Sequence, residues 1–201
     1  MTTAHAHTDN IVPFAPHLPP PFPTPRALAL EGKTFAQLEK VFLDGATPDL
    51  DALVGWEFRG INQPVWARTL GIKKFVKGFF RNEDGRTMGY NCPVVQNVLD
   101  GRWNTTPSNS APKRFGFYEV AAVDATSRDN TYLHAVLLDY GKGGNAALDP
   151  TKGLRDYLVS VDGSPDLYLG KAYYAVGPVR VATNFFILER FRRGLTDYAQ
   201  R

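Results

Sequence analysis

Cysteine is nearly absent from this 201-residue chain. A single one, Cys92, excludes an internal disulfide framework and any zinc site built on cysteine. Net charge is also slight: 23 Lys and Arg against 20 Asp and Glu leave +3, too little to indicate a nucleic-acid or anionic-membrane partner. No apolar run approaches the ~18 residues of a membrane-spanning helix, so no membrane span is expected. The first ten residues have neither the basic region nor the apolar core of a secretory signal, which points to a cytoplasmic protein. Histidine is scarce as well, and His5, His7 and His17 lie in the opening stretch, leaving His134 alone in the body of the chain. A His5/His7 pair on a solvated tail lacks the further ligands of a metal site, and no metal is expected. There is no Ser-centred elbow, zinc motif or closely spaced carboxylate pair. Cys92, abutting Pro93, has no activating neighbour. The stretch Gly141-Lys142-Gly143-Gly144-Asn145 lacks the Gly-Lys-Ser/Thr ending of a phosphate loop, and it reads as a flexible inter-strand loop on the rim of a pocket.

What is present is apolar and aromatic: 43% hydrophobic and 12% aromatic residues, enough for one domain with a full core. Seven of the fifteen prolines fall between Pro13 and Pro25, and no glycine occurs before Gly32. Proline fixes φ and removes a donor, so residues 1–32 are expected to form an extended arm, with Phe14 and Phe22 as anchors, ahead of a single domain at residues 33–201. Thr34-Phe35-Ala36-Gln37 is a capping box, followed by Phe35, Leu38, Val41 and Phe42 on one helical face and Gly45 as the stop. A short turn at residues 48–53 leads into Trp56, and residues 64–70 suggest another short helix with Pro64 in its first turn.

Beyond this point the pattern is all-β. Residues 73–81 put Phe75 and Phe79 on one face and Val76 and Phe80 on the other, and Asn82-Glu83-Asp84-Gly85 turns the chain into a return strand at 86–92. Further strands are expected at 115–123, 132–140, 155–161, 167–176 and 179–190, which with the Trp56 strand makes eight. Eight consecutive strands with short turns favour an antiparallel barrel, wide enough to fill with side chains or to hold one small ligand. Several strands are apolar on both faces, so part of the outer wall must be covered, either by the N-terminal helix and arm or by a homodimer interface.

The order of these features resembles the GXWXG-domain family of bacterial lipocalin-like β-barrels. The likeness is carried by residues 46–55 after the amphipathic helix, by Trp56-Glu57-Phe58-Arg59-Gly60, by residues 70–75, by Arg155-Asp156-Tyr157 and Leu167-Tyr168-Leu169-Gly170, and by residues 185–190. In the name-giving motif the glycine comes one place early, and Phe58 stands where the family has tryptophan. The resemblance implies a lipocalin-like, calycin-type fold and transfers no functional residues. Nitrobindin-type haem proteins also open with a Gly/Trp/Gly strand, but they need an axial histidine late in the chain. None follows His134, so no haem or other cofactor is expected.

Tyrosine is the informative excess. Tyr118, Tyr157 and Tyr173 are candidates to point hydroxyls into one cavity, against the plainer reading of half-buried strand residues chosen for β-propensity. His134 is a candidate pocket group or a hydrogen-bonded core residue, and Lys171, two residues before Tyr173, is a candidate counter-ion or an exposed strand-end lysine. Arg59 is expected to close one barrel end by packing on Trp56. Basic and aromatic residues interleave at 73–81 and 185–193, but acidic residues are spread throughout, and no nucleic-acid partner is expected. Two functions follow. The first is a binding protein holding a small, largely apolar molecule in the lumen. The alternative is an enzyme on the same barrel, a cofactor-independent cyclase, isomerase or dehydratase, since such chemistry needs only shape and an acid or base.

Overall fold

The computed structural model describes residues 20–63 and 71–197. The helix expected at 64–70, the Phe14 anchor and the three N-terminal histidines lie outside them. Eight antiparallel strands form a closed barrel in sequence order: β1 Trp56–Asn62, β2 Lys74–Arg81, β3 Thr87–Pro93, β4 Phe115–Ala122, β5 Val136–Asp139, β6 Leu154–Ser160, β7 Leu167–Val176 and β8 Val179–Arg193. Strand β8 closes the ring by pairing with β1, with Gly60 opposite Leu188. Among the described residues no helix is long and apolar enough to cross a membrane.

Seven of the eight strands fall within a few residues of the sequence expectation; β5 does not. It begins only at Val136, because residues 131–135 make a turn in which the Ala135 amide bonds the Tyr132 carbonyl. Tyr132 and His134 are therefore loop residues, and Tyr140 opens a 3-10 turn, Tyr140–Lys142, capped by Asp139. The following loop is pinned where flexibility was expected: the Asn145 side chain bonds both the amide and the carbonyl of Phe117.

Residues 20–32 also depart from the extended arm expected for residues 1–32. Pro25–Glu31 is a helix, α1, because Thr24 caps it and Pro25 occupies its first turn, where the missing N–H costs nothing. The helix buries Ala27 and Leu30 and packs on β8. Helix α2, Phe35–Leu43, starts at the Thr34–Gln37 capping box, with Gln37 N–H donating to Thr34 Oγ1 and Thr34 N–H to Gln37 Oε1. It lays Leu38 and Phe42 on the outer wall, Phe42 packing 6.0 Å from Phe185 between ring centroids. A single turn, α3 (Leu50–Leu53), buries Leu53 against the lumen cluster of apolar side chains.

Cross-strand pairs share a face, so one register assigns the whole barrel. Gly60↔Phe75, Phe58↔Lys77, Gly89↔Phe79 and Leu158↔Gly170 lie on the lumen side. Large rings need room there, and glycine provides it: a Cβ on Gly89 would lie 2.1 Å from the Tyr118 ring, and one on Gly60 2.2 Å from Phe75. The closed half of the lumen is filled by an edge-to-face series of rings, Tyr168–Phe58–Phe79–Tyr118, with centroids 5.4, 5.5 and 5.9 Å apart. Such pairs contribute about 1 kcal/mol each beyond their buried area.

On the outer wall, Arg59 is fully buried and its Nη2 stands 2.9 Å from Glu189 Oε2. The pair anchors the N-terminal segment: Arg59 Nη1 donates to the Pro20 carbonyl at 2.8 Å, and Thr24 N–H donates to Glu189 Oε1 at 3.0 Å. Breaking a buried pair leaves an uncompensated charge, at about 3–5 kcal/mol. Arg59→Leu is expected to lower the urea-unfolding free energy by that amount, and adding Glu189→Leu is expected to recover most of it. A double variant as unstable as the single one would contradict this role.

Candidate functional site

Two opposite charges meet inside the lumen. Lys77 of β2 and Asp156 of β6 stand four places apart in the ring of eight strands and so face each other across the barrel, with Lys77 Nζ 3.3 Å from Asp156 Oδ2. Both are buried, at 3% exposure each. Local alternation puts them there: Lys77 lies between the inward residues Phe75 and Phe79, and Asp156 between Leu154 and Leu158. Tyr140 joins them, its hydroxyl accepting from Lys77 Nζ and donating to Asp156 Oδ2 at 3.2 Å. Asn91 completes the set, its Oδ1 accepting from Lys77 at 3.0 Å and its Nδ2 donating to the Gly116 carbonyl at 2.9 Å. The rings of Tyr118, Tyr140 and Phe186 lie 4.7, 5.0 and 5.2 Å from the ammonium. Burial pushes the Asp156 carboxyl up and the Lys77 ammonium down, and each supplies the countercharge that opposes the other's shift. Burial also holds the Tyr118 and Tyr140 phenols well above their ordinary value, so both are neutral donors.

This polar cluster is the floor of a cavity of about 180 Å³ that opens at the barrel end opposite α3. Ile72, Phe75, Phe115, Leu154 and Phe186 make its apolar wall, and Asn62, Asn184 and Thr151 line it with Lys77, Asn91, Tyr140 and Asp156. The lysine is fully engaged and the other lining donors have partners. Lys77 has spent its three N–H groups on Asn91, Tyr140 and Asp156. Asn62 Nδ2 donates to the Ile72 carbonyl at 2.8 Å, Asn184 Nδ2 to Asn62 Oδ1 at 3.1 Å, and the Thr151 hydroxyl to Asp149 at 2.6 Å. One acceptor is left over, for Asp156 Oδ1 meets no donor from the protein. The site is thus neutral, apolar on its sides and accepting at its floor. No group of three or more His, Cys, Asp or Glu that could hold a metal occurs among the described residues.

Of the residues expected to bind a ligand, Tyr118 faces the lumen, beneath this cluster. Tyr157, Lys171 and Tyr173 face the opposite way. Their inward neighbours are Asp156 and Ala172, and with a side-chain period of two the flanking positions belong to the outer wall. They form a separate cluster under α2. Lys171 Nζ donates to Glu39 at 2.7 and 2.8 Å and to the Tyr132 hydroxyl at 2.6 Å, and Tyr132 and Tyr173 share a hydrogen bond of 2.8 Å. The Tyr157 ring packs on Tyr132 and Tyr173. His134 is no pocket group either, since its Nε2 lies 3.1 Å from the Phe42 carbonyl at the end of α2. Arg59 does not meet Trp56: it points outward to Glu189, and the cations on the Trp56 ring are Arg193 and Arg190, at 3.8 and 4.4 Å. Cys92 is buried on the outer face, and burial pushes its thiol up to about 12, which leaves it inert.

Compared with protein-family models, with the curated proteins and with the solved structures, the chain matches none.

The outer cluster has a pH signature. Burial lowers the Lys171 pKa, but the hydrogen bonds it donates to Glu39 and Tyr132, with the nearby phenols, more than offset this and the net shift is upward. A raised folded-state value means that the stabilisation is complete below the ordinary lysine pKa of about 10.4 and is lost as pH rises through the folded value. Glu39→Gln is therefore expected to cost about 1–3 kcal/mol by urea unfolding, constant from about pH 6 to pH 9 and shrinking only above about pH 10. Binding of an apolar dye in the lumen should not change. A variant that lost dye binding while remaining folded would place this cluster in the pocket after all.

Proposed function

We propose that this barrel is a lipocalin-like binding protein that holds one small, largely apolar molecule by a single hydrogen-bond donor. The observation that carries the reading is the unpartnered Asp156 Oδ1 at the floor of an apolar cavity, beside a lysine whose own protons are engaged. Size narrows the ligand: cavities of about 150 Å³ admit benzene, whereas drug-sized pockets run from about 300 to 1,000 Å³. Charge narrows it further. A carboxylate would face Oδ1 with no free cation to meet it, and an alkylammonium would add an uncompensated charge to a neutral pair, so a neutral hydroxyl or amide N–H fits best.

The same feature weighs against the enzyme reading. An isomerase, cyclase or dehydratase stabilises developing negative charge with a free donor, and Lys77, Tyr140 and Asn91 have theirs committed. Membership of the GXWXG family is part of this proposal and rests on the motif residues alone.

Calorimetry with benzyl alcohol, toluene and benzoate tests the reading. A hydrogen bond to a charged acceptor adds about 1.5–3 kcal/mol, so benzyl alcohol is expected to bind about ten- to a hundredfold tighter than toluene, and benzoate not to bind. Ala172→Phe, which fills the cavity from β7, should abolish binding. Benzoate binding as well as the alcohol would sink the assignment of the floor as an acceptor.

A further inference from the structure

One wall of the cavity continues past the rim. Strands β7 and β8 extend into a hairpin in which Tyr174 pairs with Val181 and Val176 with Val179. Tyr174 pairs on its other side with Leu154, and it follows Ala172 by two residues; Leu154 and Ala172 both line the cavity. Alternation therefore puts Ala172, Tyr174 and Val176 on one continuous face, with Val181 and Val179 beside them. Beyond the rim this face is exposed: Tyr174 by 36%, Val181 by 49%, Val179 by 56% and Val176 by 58%. Its base is fixed, since the Tyr174 hydroxyl donates to the Pro150 carbonyl at 2.9 Å. Helices α1 and α2 lie over part of the outer wall, whereas among the described residues nothing covers this ribbon, which runs straight out of the cavity.

We infer that the hairpin carries the tail of an elongated ligand whose polar head sits at Asp156, which makes the ligand a long-chain neutral amphiphile such as a primary alcohol or primary amide. The inference rests on the cavity reading above and extends it from a head to a whole molecule. Ala172 stands opposite Asp156, and Val176 is four residues further along β7, about 13 Å at ~3.3 Å per residue, a length that suits a medium to long alkyl chain. A long-chain carboxylate is disfavoured at the same head site, where the unpartnered buried group is an acceptor.

The experiment is displacement of a lumen-bound dye from the full chain by 1-butanol, 1-octanol, 1-dodecanol and dodecanoate. Each methylene laid on the hairpin is expected to tighten binding by between about twofold and fourfold, so affinity climbs from butanol to dodecanol. Val176→Asp and Val179→Asp, at exposed positions that leave the barrel intact, are expected to flatten that climb without altering butanol or benzyl alcohol binding. If butanol binds and dodecanol binds no tighter, the hairpin inference fails and the cavity reading stands. A climb that persists unchanged in both variants also overturns the hairpin as the path of the tail, and dodecanoate binding tighter than dodecanol overturns the head assignment. If neither butanol nor benzyl alcohol binds, the cavity reading itself fails, and this inference fails with it.

Discussion

An ammonium and a carboxylate meet in the middle of a barrel lined mostly by rings and aliphatic side chains, and the rest of the lumen is arranged around them. Taking two charges out of water costs several kcal/mol each, so the pair persists only where further hydrogen bonds satisfy it. Tyr140 and Asn91 supply these, from the end of β5 and from β3, and the rings of Tyr118 and Phe186 face the ammonium. Because β2 and β6 are opposite strands, the pair also bridges the lumen. Below it Phe58, Phe79, Tyr118 and Tyr168 pack solid, and above it the cavity opens. The pair is thus the floor of the site and the roof of the core.

In the proposed reading the site would select by what it lacks. Lys77 would attract anions if its protons were free, but each is committed inside the protein. What remains without a partner is a buried carboxylate oxygen, at a cost of about 1–3 kcal/mol that a ligand hydroxyl would relieve in the proposed reading. In the proposed reading, affinity for a donor and rejection of a carboxylate would follow from the same atom. The outer wall serves a different purpose: Lys171 with Glu39, and Arg59 with Glu189, fasten the N-terminal helices over strands whose outward residues are apolar.

Much of the barrel was legible because its strands are punctuated by turns such as Asn82-Glu83-Asp84-Gly85, where Gly85 takes a φ of 74°. Strand β5 was overextended because residues 132–140 continue an apolar pattern through a turn that no residue type announces. Helix α1 was hidden in the proline run, although Thr24-Pro25 is a legitimate helix start. The site was missed through parity. The abundance of tyrosine points to Tyr157 and Tyr173, and a shift of one residue separates them from the lumen. The better signal was available: Phe75-x-Lys77-x-Phe79 and Leu154-x-Asp156-x-Leu158 each hold a charge of opposite sign at the centre of an apolar alternating face. That the two triplets meet depends on β2 and β6 being opposite strands, which only closure of the barrel reveals.

A crystal structure of the protein soaked in benzyl alcohol tests the central claim most directly. The account predicts one molecule in the cavity, its hydroxyl within hydrogen-bonding distance of Asp156 Oδ1, its ring against Phe75 and Phe186, and the Lys77–Asp156 pair undisturbed. A hydroxyl turned toward the mouth, a ligand that displaces Lys77 from Asp156, or a cavity that takes up nothing would contradict it.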